Sequence, residues 1–281
     1  MSERKAYVNG SLIDLSQASI SILDRGFLFG DGVYEVMPVY NNKVCFLDRH
    51  IRILNNSLQS AKIAIPDCNW SSIFNELINH TDEKDFQIYL QITRGCGASR
   101  HHDIPKHIEP TIVAFTLHHD FPKDEDKLKG IKANLVKDIR WERCDIKSTS
   151  MLANVMVNDE AVSVSATTAI LIKNGLITEG SSSNVFIVDS SNTILTPPLN
   201  THCLPGITRE VVIELIQTLN WPFKETYFDE KTLFEAKEVW ITSTTKEIYP
   251  VASINERMTG NIQNWQYWKE INKRYTNLVR T

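Results

Sequence analysis

Residues 140–151 read RWERCDIKSTSM and place one lysine, Lys147, between the apolar Ile146 and the hydroxyl run Ser148, Thr149, Ser150. The expectation is a lysine that leaves a strand end as the chain turns into a cleft. Partial loss of water at such a place lowers an amine's pKa, which makes it a nucleophile toward carbonyls and a carrier of protons. A surface lysine at a strand end is the competing reading, and this stretch alone does not decide between them. The decision rests on what surrounds it in the chain.

Downstream, residues 178–188 (TEGSSSNVFIV) put Glu179 ahead of a glycine and three serines. Such a turn permits close backbone approach and can fix a carboxylate against a ring nitrogen; taken singly, Glu179 is a turn acid. Residues 204–210 (LPGITRE) lead into a helix expected over 211–219. Free N–H groups and the helix dipole there can hold a phosphate, aided by the Thr208 hydroxyl, although a generic N-cap explains Thr208 equally well. Residues 238–249 (EVWITSTTKEIY) read as a strand broken by hydroxyl donors, Ser243, Thr244 and Thr245. An amine, a carboxylate and a phosphate-holding helix start are the protein parts that pyridoxal phosphate requires.

Upstream, residues 6–13 (AYVNGSLI) predict a hairpin around Asn9-Gly10. Residues 24–40 set Gly26, Gly30 and Gly32 before an alternating strand, with Tyr34 on the opposite face from Val33 and Glu35. No phosphate-loop or dinucleotide pattern follows this glycine-rich turn. Residues 48–62 predict a helix with Ile51, Leu54, Leu58 and Ala61 on one face, and Ile53 off that stripe implies a second buried side. A further helix is expected over 71–79 and strands over 86–93 and 111–117. The loop 94–105 (RGCGASRHHDIP) carries Arg100 and the pair His101, His102, two histidines without a third ligand, which argues against a metal. Residues 118–129 are charged, contain proline and lack periodicity. They divide a small domain (1–119) from a larger one (130–281) through a linker at 120–129.

A chain of 281 residues is long enough for two such domains. Hydrophobic content of 42% and charged content of 23% are those of a globular protein, and a net charge of -4 provides no basic footprint for nucleic acid. The polar start and the lack of any apolar run of about 18 residues lead to a cytoplasmic expectation. The five cysteines are scattered without zinc or dithiol spacing, and Cys144 has no neighbouring histidine to activate it.

The order DRGFLFGDGVYEV, RCDIKS, TEGSSSNVF, LPGITR, TSTTKEI resembles the fold type IV pyridoxal-phosphate enzymes over nearly the whole chain, and among them the bacterial D-amino acid aminotransferases. The resemblance implies an α/β (α+β) fold of two domains, a small N-terminal one and a larger one around a β-barrel-like sheet. The cofactor, pyridoxal 5'-phosphate, lies in the cleft between them, and the enzyme is a homodimer that exchanges amino groups between D-amino acids and 2-oxo acids. It further implies Lys147 as the Schiff-base lysine, Glu179 as the acid at the pyridine nitrogen, and Leu204 as support of the cofactor ring. Ile207, Thr208, Ser243 and Thr244 take the phosphate-binding positions. Tyr34, Arg100 and His102 form the carboxylate trap, the latter two reaching from the partner subunit. One departure concerns the family pattern His-x-x-Arg-Leu, whose arginine grips the phosphate: the chain reads His50, Ile51, Arg52, Ile53, Leu54. Ile53 holds the matched position, and Arg52, one place early, is the candidate stand-in. The rival readings are a branched-chain L-amino acid aminotransferase, an aminodeoxychorismate lyase and a non-catalytic pyridoxal-phosphate-binding protein.

Overall fold

Asn9 and Gly10 adopt left-handed φ values of 47° and 93°, which folds β1 (Lys5–Val8) back on β2 (Ser11–Asp14) as the Asn-Gly pair predicts. The computed structural model describes residues 4–260 and 264–280; the expected domain limits at 1 and 281 lie outside them. Two units partition the chain: Met1–Asp120 with Ile146–Ser150, and Phe121–Asp145 with Met151–Thr281. The five residues around Lys147 thus belong to the first unit, although the chain on either side of them belongs to the second.

In the first unit the glycine-rich stretch is not a plain turn. Asp24 accepts a bond from the Gly26 N–H at 2.8 Å and starts a short helix, α1 (Arg25–Phe29), which Gly30 ends at φ 65°. Next come β3 (Gly32–Tyr40), β4 (Lys43–Val44), α2 (Leu47–Ser60), α3 (Trp70–Ile78), β5 (Phe86–Thr93) and β6 (Thr111–Leu117). The six strands form an antiparallel sheet ordered β2-β1-β6-β5-β3-β4. Its core joins Val33, Met37, Ile88 and Leu90 of the sheet to Leu54, Leu58, Phe74 and Leu77 of the two longer helices.

The buried face of α2 differs from the apolar stripe expected. It is His50, Ile53, Leu54, Ser57 and Leu58, the i, i+3, i+4, i+7, i+8 pattern of one helix face. Two of its inward positions are polar, so apolar residues alone point to the wrong centre. Ile53 lies at one edge of this same face, next to Ser57, rather than on a separate second side. His50 belongs there because its Nδ1 meets the buried Glu35 Oε2 at 2.9 Å.

The second unit opens with α4 (Asp124–Lys127) inside the stretch expected to be a linker. Lys127 is buried against the Glu247 carboxylate and donates to Asn272 Oδ1 at 2.9 Å, both in this unit. After α4 come β7 (Ile131–Lys137), α5 (Leu152–Ser163), β8 (Thr168–Lys173), β9 (Leu176–Gly180), β10 (Asn184–Val188), β11 (Ile194–Thr196), α6 (Ile207–Thr218), β12 (Phe223–Glu225), α7 (Glu230–Phe234), β13 (Glu238–Ser243), β14 (Glu247–Ile254), β15 (Arg257–Met258) and α8 (Gln266–Arg280). The sheet runs β12-β11-β10-β13-β14-β7-β8-β9, with β15 beside β14.

That order forces the sheet to curl. Laid flat, β9 and β10 would stand five spacings of about 4.8 Å apart, yet the link from Gly180 to Asn184 reaches at most about 14 Å. Gly180 N–H also donates to Ser183 O at 2.6 Å, which closes the link into a tight turn. The result is the barrel-like sheet implied by the resemblance, filled by Ile131, Ile170, Val185, Ile187, Val239, Ile241 and Val251. The stretch expected to be a broken strand is a hairpin, with Ser243 opposite Glu247, and α6 starts at Ile207, four residues before the expected helix.

Candidate active site

Within the second unit, Glu179 ends up almost sealed from solvent near the end of β9, at 3% exposure. Its Oε1 accepts from Arg140 Nη1, and its Oε2 accepts from the Leu204 N–H at 3.0 Å and from Asn184 Nδ2 at 3.2 Å. Arg140 is itself fixed by Asp138, through Nε to Oδ1 at 3.0 Å and Nη2 to Oδ2 at 2.8 Å. Burial pushes the Glu179 carboxyl up, against the pull of the Arg140 charge and hydrogen bond and of the Leu204 N–H. Burial also works to raise Asp138, but the hydrogen bonds and charge of Arg140 prevail and hold that carboxyl below the usual range.

Leu204 is clamped at both backbone ends, its N–H on Glu179 and its carbonyl accepting from Asn184 Nδ2 at 2.9 Å. Two residues on, Gly206 begins α6 with no side chain capping the first turn, so the leading N–H groups and the buried Thr208 stand at an open positive helix end. A Cβ on Gly206 would fall 2.2 Å from Asn184 Oδ1, which is why glycine is needed there. Asn184 in turn pairs across the sheet with Thr242, the neighbour of Ser243. The acid, the start of α6 and the β13–β14 turn therefore meet at one corner of one unit.

Those residues suit pyridoxal 5'-phosphate. A carboxylate offers about four lone-pair directions, and three donors on Glu179 leave one for a ring N–H. The uncapped first turn of α6 suits the phosphate.

In the first unit Lys147 does not leave a strand end, as β7 has stopped at Lys137; it follows a turn and precedes Ser148, which bridges Val33 of β3. Two elements hold its backbone: the N–H donates to Ser57 Oγ of α2 at 3.1 Å, and the carbonyl accepts from the Tyr34 N–H at 3.0 Å. Thr149 adds an N–H bond to Gly32 O at 3.0 Å. The Lys147 Nζ stands over the Tyr34 ring, 4.8 Å from its centroid, which brings these two residues together in the first unit.

Arg100 and His102 lie elsewhere in the unit. The Arg100 guanidinium covers the Phe29 ring at 5.0 Å and the His102 ring tilts against the same ring at 5.3 Å. Arg25 anchors their loop by donating to His101 O at 2.7 Å and to His102 O at 3.3 Å. Arg52 is exposed and lines a groove with Asp48, Asn55 and Trp70. On a helix of 100° per residue it stands about 140° from Ser57, whereas Ile53 stands about 40° away. Ile53 is thus the residue on the Lys147 side of α2, and Arg52 is not.

Sequence reasoning missed Ser57, Arg140, Asn184 and Arg25. A polar residue at helical spacing within an apolar stripe was the available signal for Ser57; Arg140 and Asn184 have near partners in Asp138 and Glu179, but what ties them into the site is their longer-range bonds, Arg140 to Glu179 and Asn184 to Leu204. Burial pushes the Cys144 thiol up to about 11, which disfavours the thiolate that a nucleophile needs.

The profile of the amino-transferase class IV family matches residues 32–254. The D-alanine aminotransferase of Bacillus licheniformis is 40% identical over 92% of this chain and 90% of its own length. That of Staphylococcus aureus (strain N315) is 38% identical over 89% of each. Among solved structures, the branched-chain amino acid aminotransferase of Escherichia coli superposes with TM-score 0.87 at 21% identity, covering 99% of this chain and 94% of that one. The fold IV transaminase of Curtobacterium pusillum gives TM-score 0.81 at 21% identity, covering 96% and 94%. A further branched-chain amino acid aminotransferase, solved with pyridoxamine 5'-phosphate, gives TM-score 0.89 at 21% identity, covering 98% and 94%.

Proposed function

From a chain that belongs to the amino-transferase class IV family, we propose a pyridoxal 5'-phosphate-dependent D-amino acid aminotransferase. It moves the amino group of D-alanine or another D-amino acid to a 2-oxo acid such as 2-oxoglutarate, giving pyruvate and D-glutamate. The observation that carries the choice is identity of 36 to 40% with D-alanine aminotransferases over about nine tenths of the chain. The branched-chain structures, at 21%, speak for the fold alone.

When bound, the cofactor supplies a conjugated ring that spreads the negative charge developing at the substrate's α-carbon. Lys147 is assigned to its aldehyde carbon, Glu179 to its ring nitrogen, Leu204 to its ring face, and Ile207, Thr208, Ser243 and Thr244 to its phosphate. The Glu179 anion favours a proton on that nitrogen, and Arg140, which cannot give up its own proton, keeps Glu179 oriented. Lys147 Nζ takes the α-proton of the amino acid and returns it at the carbon that bore the aldehyde oxygen. The Tyr34 ring lies beneath the amine, its electron-rich face toward the charge that the lysine holds while it carries the proton.

Tyr34, Arg100 and His102 are assigned to the substrate α-carboxylate, for which a guanidinium offers a matching fork. Arg100 and His102 act from the second subunit of a cytoplasmic homodimer. In support, Arg25 and Phe29 hold both residues at the surface of their own unit. No helix among the described residues is long and apolar enough to cross a membrane.

Transamination of 2-oxoglutarate should be measured with paired D- and L-alanine, and borohydride-reduced protein mapped by mass. The expected result is D-selectivity and a label on Lys147. Selectivity for the L-series moves the branched-chain reading to first place, and a label on another lysine removes the Lys147 assignment.

A further inference from the structure

Two lysines of the second unit have lost much of their water, and they are treated differently. Lys127 is 1% exposed and satisfied by Glu247 and Asn272. Lys246, half-buried where the β13–β14 turn ends, has a backbone N–H bound to Ser243 Oγ at 3.0 Å, while its ammonium meets no carboxylate among the described residues. The adjacent Glu247 is already engaged by Lys127 and Arg280. Burial alone lowers the Lys246 pKa, with no acid to oppose it. An ammonium placed so is costly unless an anion comes to it.

The surroundings specify that anion. Lys246 and Ser243 close one turn, Thr242 pairs with Asn184, and Asn184 abuts Gly206 at the uncapped start of α6. The Thr242 hydroxyl, in a residue 1% exposed, has no hydrogen-bond partner among the described residues. Neutral donors, a helix dipole and a lysine that meets no carboxylate among the described residues thus come from neighbouring turns of one corner; of the acids near it, Glu179 is bound by Arg140, Glu247 is bound by Lys127 and Arg280, and Glu210 stands in the first turn of α6. We propose that the Lys246 ammonium is the cation that binds the cofactor's phosphate, the role that neither Ile53, which is apolar, nor the outward Arg52 fills in α2.

The inference rests on the proposed cofactor site. Its test compares binding of pyridoxal 5'-phosphate and of phosphate-free pyridoxal to the apo forms of wild type, Lys246→Gln and Lys246→Arg, followed by absorbance, with no turnover involved. Lys246→Gln should weaken pyridoxal 5'-phosphate about tenfold to hundredfold and leave pyridoxal unchanged; Lys246→Arg should retain most of the wild-type affinity. Unchanged affinity of Lys246→Gln for pyridoxal 5'-phosphate, or equal losses for both compounds, overturns the role of Lys246 while the function stands. A wild type that binds neither compound removes the proposed function and this inference with it.

Discussion

Asp31 in the first unit and Arg140 in the second each sit at the centre of a buried arginine–carboxylate network, and the two are built with opposite charge. In the first, Asp31 sits between two arginines, accepting from Arg25 Nε at 2.8 Å, Arg94 Nε at 2.8 Å and Arg94 Nη2 at 2.9 Å. The remaining guanidinium donors go to backbone carbonyls, those of Arg94 to Lys62 O at 2.6 Å and Ala61 O at 2.8 Å, those of Arg25 to the loop of Arg100 and His102. In the second, one arginine, Arg140, sits between two acids, Asp138 and Glu179. The first network spends its surplus positive charge on carbonyls and closes on itself, so it acts as scaffold. The second keeps a surplus negative charge and an open lone-pair direction at Glu179, so it can receive a cationic donor.

Breaking the first network should give the larger effect, and it should fall on stability. Asp31→Asn leaves two buried arginines without their shared anion, a kind of loss that costs about 3–5 kcal/mol. Burial works to raise the Asp31 carboxyl, but the bonds and charges of Arg94 and Arg25 hold it below its ordinary value. A depressed folded pKa means stability present above the unfolded value of about 3.9 and lost as pH falls through the folded one. Urea unfolding should therefore show the Asp31→Asn deficit in full near neutrality and shrinking below about pH 4. A deficit independent of pH would show that the ion pairs are not its source.

The second network should break the other way. Glu179→Gln removes the anion that favours a protonated ring nitrogen, for a loss of about 10²–10³ in turnover, the scale of one preorganised electrostatic contact. Stability should change less than in Asp31→Asn. The mismatched amide costs about 1–3 kcal/mol, but Glu179's raised carboxyl contributes stability only at low pH and loses it as pH rises through the folded pKa, so at neutrality a neutral side chain relieves a burial cost. Steady-state rates per folded molecule, with urea melts alongside, separate the two. If Glu179→Gln unfolds as Asp31→Asn does while its rate holds, the contrast between scaffold and site is wrong.

This contrast also marks how far the sequence could be read. Lys147, Glu179 and the Pro-Gly entry into α6 drew notice because each lies in a short stretch of unusual local chemistry, an amine beside hydroxyls, an acid before glycine and a turn into a helix, but no single stretch decided its role and only their order along the chain pointed to one. The hairpin at Asn9-Gly10 and the strands at Phe86–Thr93 and Thr111–Leu117 followed from turn chemistry and alternation. What stayed hidden depends on distant partners. Arg140 and Glu179 are far apart in sequence, as are Asp31 and Arg94, and no periodicity pairs them. The face of α2 was misjudged for a related reason, since His50 and Ser57 are inward only because Glu35 and the Lys147 N–H await them.

Ser57 offers the smallest and sharpest test of that dependence. Its hydroxyl accepts the Lys147 N–H at 3.1 Å from a helix face that is otherwise apolar except for His50. Ser57→Ala removes that acceptor without adding bulk, and a backbone N–H left unpaired costs about 1–3 kcal/mol. The Tyr34 N–H still holds the Lys147 carbonyl from the other side, so the segment stays attached to β3 but loses its tie to α2. The expected result is a several-fold slower loading of apo enzyme with pyridoxal 5'-phosphate and a stability loss at the low end of that range. Ser57→Thr, which restores the hydroxyl, should recover part of the loading rate if its methyl group is accommodated. A Ser57→Ala protein that loads at the wild-type rate would mean that β3 alone positions Lys147, and the polar interruption of α2 would then serve only the packing of the first unit.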